Sequence, residues 1–360
     1  MDRVQRKRRL RLLLLTDLAL LVLCALCVLT ARHLSGLLPS QQAAERWQGD
    51  NDLRFDQVSC FLPVDERIQL NQVFQFRYDM LAKFKEALPD EEEPMRLFRD
   101  AWSTSGKVVA ATSLGKGDAR VIAVGGSFFD FHPIRLINGS YLSEEDLMQD
   151  RVLLDEDLAW LLFGGTELQG MELRLNGVPY VVGGVIQREQ DFASKKAYTA
   201  GMGLYMSYDG YKQLYPNAGI DCYELIMAQP VRNFTINFTR EKFPIGQGSI
   251  VENTDRFSFA RRMKVISQFG SRSMQSLGVV LPYWENAARC VEDWCALLTL
   301  LALVLALPPA VTALVGGVRL YKRGYRKLTE DWIPDGRDKI EEAIRVRQRR
   351  RWLKKHGQHE

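Results

Sequence analysis

Histidine and cysteine are scarce in this chain of 360 residues, at four and six respectively. None of the histidines (His33, His132, His356, His359) stands in an H-E-x-x-H or other paired metal spacing, so no metal ligand set is assigned. His132 reads as a turn residue. The lone Gly115-Lys116 is not a phosphate-binding loop, because Ala110 stands where the first glycine is required and no Ser or Thr follows the lysine. The chain therefore does not hold ATP by that route. Gly126-Ser127 and Gly248-Ser249 lack the nucleophile elbow G-x-S-x-G. Carboxylates such as Asp155, Asp157 and Glu144 to Asp146 are abundant and read as caps and solvated faces. No catalytic, cofactor-binding or metal-binding residue and no cofactor is assigned. An envelope enzyme would need a deep pocket with carboxylates of perturbed pKa.

The cysteines are too few and oddly placed for a disulfide-stapled fold. Cys24, Cys27 and Cys295 lie in or beside apolar runs, leaving Cys60, Cys222 and Cys290 elsewhere. A bridge between Cys60 and Cys222 is left open. Three sequons, at Asn138, Asn233 and Asn237, would accept glycans only in a eukaryotic secretory pathway, to which nothing else points.

Long apolar runs are plentiful. Residues 10–31 and 294–318 are each long enough to cross a bilayer as a helix, and each has a basic cluster on one side. Arg3, Arg6, Lys7, Arg8 and Arg9 precede the first; Arg319, Lys322, Arg323, Arg326 and Lys327 follow the second. Basic flanks stay cytoplasmic, so both ends, 1–9 and 319–360, are expected inside and 32–293 outside. Residues 1–11 carry a net charge of +5 and 319–360 one of +7; a whole-chain charge of +4 leaves −8 for the middle. Attraction to anionic lipid explains the basic ends better than nucleic acid does.

The first run exceeds a usual signal-peptide core, no A-x-A site follows, and Leu precedes both Cys24 and Cys27, so an uncleaved anchor is expected. Asp17 either marks a helix–helix contact or snorkels to the interface. Trp294 and Tyr321 sit as interfacial aromatics, Pro308 and Pro309 should kink the second span, and Gly316 and Gly317 allow close helix approach.

Between the spans, alternation over 52–61 predicts a strand, and Asp65 is the expected N-cap of a helix over 66–88, with Leu70, Phe74, Leu81, Phe84 and Leu88 on its packed face. Residues 90–93 read as a solvated acidic turn. Strands over 107–112 and 119–124 form a hairpin through Gly115-Lys116-Gly117. Short strands follow at 125–132, 136–142 and 151–155. A helix over 156–163 should stop at Gly164-Gly165, and strands 171–175 and 178–186 meet at Asn176-Gly177. Residues 187–203 read as a mobile loop. A strand (224–228), a helix (233–242), a strand (248–253) and a helix (258–276) lead back to the membrane. The fold class expected is a membrane protein whose two transmembrane helices flank a mixed α+β extracytoplasmic domain, a β-α-β unit (50–125 and 223–285) interrupted by a β-rich insertion (126–222).

Phe128-Phe-Asp-Phe131, Ile137-Asn-Gly-Ser-Tyr-Leu142, Asp150-Arg-Val-Leu-Leu-Asp155, Ala159-Trp-Leu-Leu-Phe-Gly-Gly165, Leu168-Gln-Gly-Met171 and Gly177-Val-Pro-Tyr-Val-Val-Gly-Gly-Val-Ile186 keep a distinctive order and spacing. This stretch resembles the MacB-like periplasmic core domain of ABC-transporter permeases of the MacB/FtsX superfamily. Flanking spans fit that layout, although family permeases have three helices after the outer domain and this chain has one followed by a tail. The resemblance implies a non-enzymatic permease-like subunit that transmits ATPase-driven motion outward, with a separate ABC ATPase and another membrane subunit as partners, while the departure from the four-span layout argues against autonomous transport. The segments 258–276 and 283–294 would serve as levers. The tail, with a helix expected over 338–355, could dock the ATPase, bind the inner leaflet or stay solvated. A membrane-anchored receptor or scaffold regulating an envelope partner without ATP is the alternative.

Overall fold

A computed structural model describes residues 3–49, 53–87, 94–198, 202–269 and 279–356, and they fall into two compact units. In chain order the elements are α1 (Arg3–Gly36), α2 (Ala43–Gln48), β1 (Phe55–Phe61), α3 (Leu70–Ala87), β2 (Phe98–Ala111) and β3 (Lys116–Gly126). Then come α4 (Phe128–Phe131), β4 (Arg135–Gly139), β5 (Arg151–Asp155), α5 (Glu156–Phe163), β6 (Glu172–Leu175) and β7 (Val178–Gln187). They are followed by α6 (Phe192–Ala197), β8 (Gly203–Ser207), α7 (Tyr208–Leu214), β9 (Cys222–Ala228), α8 (Phe234–Lys242) and β10 (Ser249–Glu252). The last are α9 (Phe259–Ser267), α10 (Tyr283–Arg326) and α11 (Ile333–His356), joined by a π-helical turn, Lys327–Trp332. The predicted acidic turn at 90–93 and the end of the predicted helix, 270–276, lie outside the described residues.

One unit contains residues 1–29 and 300–360. The helices α1 and α10 are long and apolar enough to cross a membrane. Within this unit Asp17 faces the second helix, accepting a hydrogen bond from the Thr312 hydroxyl at 2.6 Å. Cys24 Sγ donates to the Ala302 carbonyl at 3.4 Å. Of the two readings left open for Asp17, the structure has the helix–helix contact. Thr312 also donates to the Pro309 carbonyl at 2.9 Å, where the proline pair weakens the backbone ladder.

Residues 30–299 form the other unit around one sheet, in the order β10-β1-β9-β2-β3-β8-β5-β7-β4, with β6 pairing to β2 and β7. The β2–β3 hairpin pairs from Ala101↔Gly126 to Ala111↔Lys116, and it spans two hydrophobic cores. Phe98, Ala101, Trp102 and Val124 belong to the first; Val108, Ala110, Ala119, Val121 and Ala123 belong to the second. The first core is roofed by α3, whose buried stripe is Val73, Phe76, Met80 and Phe84. That stripe is rotated from the predicted one. Phe76 packs against Tyr223, Phe238 and Phe243, which leaves Phe74 half exposed.

Several local expectations are corrected. The helix begins at Leu70 rather than at Glu66, and Asp65 lies in a 3-10 turn without a capping bond. The chain stays extended there because Ile68 bridges to Ile220. Residues 128–131 make a helical turn instead of a strand, since Gly126, at φ +66°, ends β3 and Phe128 and Phe131 both turn inward. Much of the predicted mobile loop is built. Asp191 caps α6, accepting from Ala193 N at 3.0 Å and Ser194 N at 2.9 Å, and β8 is an interior strand between β3 and β5. As expected, α5 ends at Gly164 in the left-handed region.

Cys60 and Cys222 are free and buried on neighbouring strands. Cys60 pairs with Tyr223 and Cys222 with Phe61, so the two thiols project to opposite faces of the sheet and are not bridged.

Asp56 on β1 is buried, and neither of its carboxyl oxygens has a hydrogen bond. Its nearest cation is Arg54, at 3.6 Å. Burial pushes the carboxyl up to about 6, with Arg54 pulling the other way. Between about pH 4 and about pH 6 the folded state therefore binds the extra proton, and stability falls as pH rises through that window. We expect Asp56→Asn to raise the stability of the detergent-solubilised protein by about 1–2 kcal/mol at about pH 7 and to have no effect below about pH 4. Thermal unfolding across that range checks it, and an Asn variant no more stable at neutral pH would contradict it.

Candidate functional site

At the end of the 30–299 unit where the two long helices enter, small side chains close the seam. Ala31, Ala193, Ala287, Ala288, Val291 and Cys295 are all buried there, and Cys295 Sγ donates to the Ala31 carbonyl at 3.3 Å. Small residues let backbones approach closely, as in packed helix pairs generally.

The first turn of α10 is held from three directions by three consecutive side chains. A helix advances about 100° per residue, so neighbours in sequence point to different partners. Tyr283 donates to Glu189 at 2.7 Å, lies 3.1 Å from the Tyr205 hydroxyl, and stacks on Tyr198 with ring centres 4.2 Å apart. Burial, with Glu189 adding to it, raises the pKa of Tyr283 well above its ordinary value, so the phenol remains a donor. Trp284 packs against His132 at 4.5 Å and Phe128 at 5.7 Å. Glu285 turns toward Arg256, which precedes α9.

Arg256 is the hub. Its Nη1 and Nη2 donate to the two oxygens of Glu285 at 2.7 and 2.8 Å, and its Nε donates to Glu292 at 2.8 Å. Nη1 also donates to Gln41, in the segment after α1, at 2.9 Å, and to Asn253, next to β10, at 3.3 Å. Arg289 adds a second cation on Glu285, at 2.8 Å. Burial alone would lower the Arg256 pKa; the two glutamates more than offset it and hold it raised. A guanidinium suits this place because its planar fork satisfies several acceptors at fixed angles.

From the hub a buried polar chain crosses the sheet. Asn253 Nδ2 donates to Ser59 Oγ at 2.7 Å, and Ser59 donates to Glu224 at 3.0 Å. Glu224 is paired in turn with His132 Nε2. Every side chain on this route is at least nine-tenths buried. His132, predicted as a turn residue, does follow α4 as its C-cap, but it is buried and hydrogen-bonded to Glu224.

Two cavities accompany this arrangement. A cleft of about 320 Å³ is lined by Phe74, Arg77, Trp102, Phe129, Glu144 and Asp209; another of about 440 Å³ lies between α6 and α10, beside Lys196, Cys290 and Trp294. The carboxyls whose pKa burial raises, Asp56, Asp155 and Asp221, line neither. Among the described residues no cluster of His, Cys, Asp and Glu could hold a metal ion. The arrangement ties the start of α10 to the segment after α1, to the edge of the sheet and, through Ser59, to the Glu224–His132 pair.

Sequence reasoning missed the hub. Its one legible signal was Glu285, Arg289 and Glu292, spaced at one helical face just ahead of an apolar run; Asn253 read as the end of a strand, and nothing near Arg256 marked it out.

The model of the MacB-like periplasmic core domain family matches residues 55–235. Among solved structures, the periplasmic region of MacB from Actinobacillus actinomycetemcomitans is similar at 15% identity, covering 63% of this chain and 96% of that one, with a TM-score of 0.39. The extracellular domain of the noncanonic ABC-type transporter YknZ from Gram-positive bacteria is similar at 12% identity, covering 52% and 92%, with a TM-score of 0.35. No curated protein matches the chain.

Removing the Arg256 guanidinium leaves Glu285 buried with Arg289 as its one remaining cation among the described residues. We expect Arg256→Ala to cost about 3–5 kcal/mol, and Arg256→Met with Glu285→Met to recover much of that loss. Thermal melts of the full chain in detergent read both. A single variant as stable as the parent would show that the hub carries no such constraint.

Proposed function

The chain belongs to the MacB-like periplasmic core domain family, the outer domain of ABC-transporter permease subunits, and on that premise we propose that it relays ATPase-driven motion to its extracytoplasmic domain. One observation carries this reading. The helix that contains the second apolar run, α10, is fastened in its first turn by Tyr283, Trp284 and Glu285 to three different parts of the domain. A rotation or shift of that helix cannot leave the domain unaffected, because directional hydrogen bonds and packed rings have few alternative arrangements.

In this reading residues 1–9 and 319–360 are cytoplasmic, 10–31 and 294–318 span the membrane, and 32–293 are outside. The outer part is an α/β portion, 50–125 and 223–285, carrying the β-rich insertion 126–222. The basic flanks of the two runs support that orientation. In the same reading a separate ABC ATPase supplies the hydrolysis and another membrane subunit completes the path; the family match supports the ATPase partner.

Affinity capture of the full chain from native membranes, beside a version ending at Lys327, tests the reading. An ABC ATPase should be recovered with the full chain and lost with the shortened one. Envelope proteins without an ATPase from both would overturn it in favour of a receptor or scaffold.

A further inference from the structure

Charge in residues 319–360 is segregated along the chain. Residues 319–326 carry four basic and no acidic side chains; residues 327–342 carry six acids against three bases; residues 343–355 carry seven bases and no acid. The middle stretch partly satisfies itself within α11. Lys339 donates to Asp335 at 2.9 Å, Arg337 lies 3.4 Å from Glu341, and Arg345 lies 3.9 Å from Glu341. Beyond Arg345 that supply of acids ends.

The distal block is poorly suited to being a solvated helix. Arg345 and Arg349, and Arg347 and Arg351, are like charges one helical turn apart, a spacing that destabilises an isolated helix. These arginines are exposed, and so are Ile344, Val346 and Trp352 among them. A helix of this kind is held when a dense anionic surface neutralises it. The two long apolar helices keep the chain in a bilayer, so such a surface is always within reach of α11. A leaflet of anionic lipid meets the demand, since its headgroups supply the charge, and Trp352 suits the interface.

We infer that residues 343–355 form an anionic-lipid-binding segment that lays the distal half of α11 on the cytoplasmic leaflet. The inference rests on the orientation proposed above for 319–360. It divides the tail by charge: the distal basic block goes to lipid, and the acidic stretch 327–342, repelled by that surface, is left facing the aqueous side, where a protein partner would meet it.

The test uses the full-length protein in nanodiscs of phosphatidylcholine alone and of phosphatidylcholine with phosphatidylglycerol, with no ATPase present. Trypsin cleavage within Arg345–Lys355 is followed by mass spectrometry, and cleavage at Arg337 and Lys339 serves as the internal reference. Cleavage in the distal block should slow in the anionic discs relative to the reference, and high salt should restore it. Arg347→Gln, Arg349→Gln and Arg351→Gln should each reduce the protection by about fivefold. Equal rates in the two discs, fast or slow, would overturn the inference. So would protection that ignores lipid composition and appears only on adding RNA or an ATPase. Because the discs contain no ATPase, this result stands or falls separately from recovery of an ATPase in the capture experiment.

Discussion

Arg256 and the two glutamates around it are the constraint on which the domain's architecture turns. The guanidinium is buried, and one cation joins the segment after α1 through Gln41, the edge of the sheet through Asn253, and α10 through Glu285 and Glu292. Taking such charges out of water costs several kcal/mol per ion, and their mutual attraction roughly returns it. Net stability is therefore a weak reason for the cluster. Alignment is a stronger one. Turning α10 by a single residue would carry Glu285 about 100° away from the fork that holds it and expose every member of the cluster to a desolvation penalty.

The long β2–β3 hairpin gives that alignment its reach. Each of its strands contributes to both hydrophobic cores, so neither core can shift without the other. The first core lies under α3 and holds Trp284, Phe128 and Tyr223 in common. The stretch leading into β8, and β8 itself, meet the same helix end through Glu189, Tyr198 and Tyr205. All the strands lie in one sheet, which is why the start of α10 touches parts of the chain far apart in sequence.

What could be read in the sequence was what depends on local chemistry. The apolar runs, the Asn176-Gly177 hairpin, the Gly164 stop and the family motifs all declare themselves within a few residues. The failures have a common cause. β8 is five residues, Gly203–Ser207, with no alternation to announce it, and it becomes a strand because β3 and β5 flank it. The first half of β2, ahead of the predicted strand at 107–112, carries Arg99, Asp100 and Ser103 to Ser105, which do not announce a strand; Asp100 tolerates burial because Arg77 grips it with two bonds of 2.7 and 2.8 Å and Tyr223 adds a third. The packed face of α3 was misjudged because Phe74 and Phe76, two positions apart, are equally apolar, and only the rings of Phe238 and Phe243 decide between them. Arg256 was invisible for the same reason, since its partners lie far away in sequence at 41, 285 and 292.

A polar route across the sheet answers a displacement differently from an apolar one. Apolar contacts are non-directional, so a small sliding of one side chain over another is met by gradual loss. The route from Arg256 through Asn253 and Ser59 to Glu224 is directional at each step, with every donor aimed at the next acceptor. Turning the Asn253 amide over would place its NH₂ against a guanidinium that only donates and its oxygen against Ser59, whose proton is already committed to Glu224. Two bonds would be lost together in a buried setting, where each unsatisfied group costs about 1–3 kcal/mol. The chain thus favours one complete arrangement over any partly broken one. An input at Glu285 that displaced the Arg256 fork would be felt at Glu224 and His132 as a choice between discrete arrangements rather than as a strain that fades with distance.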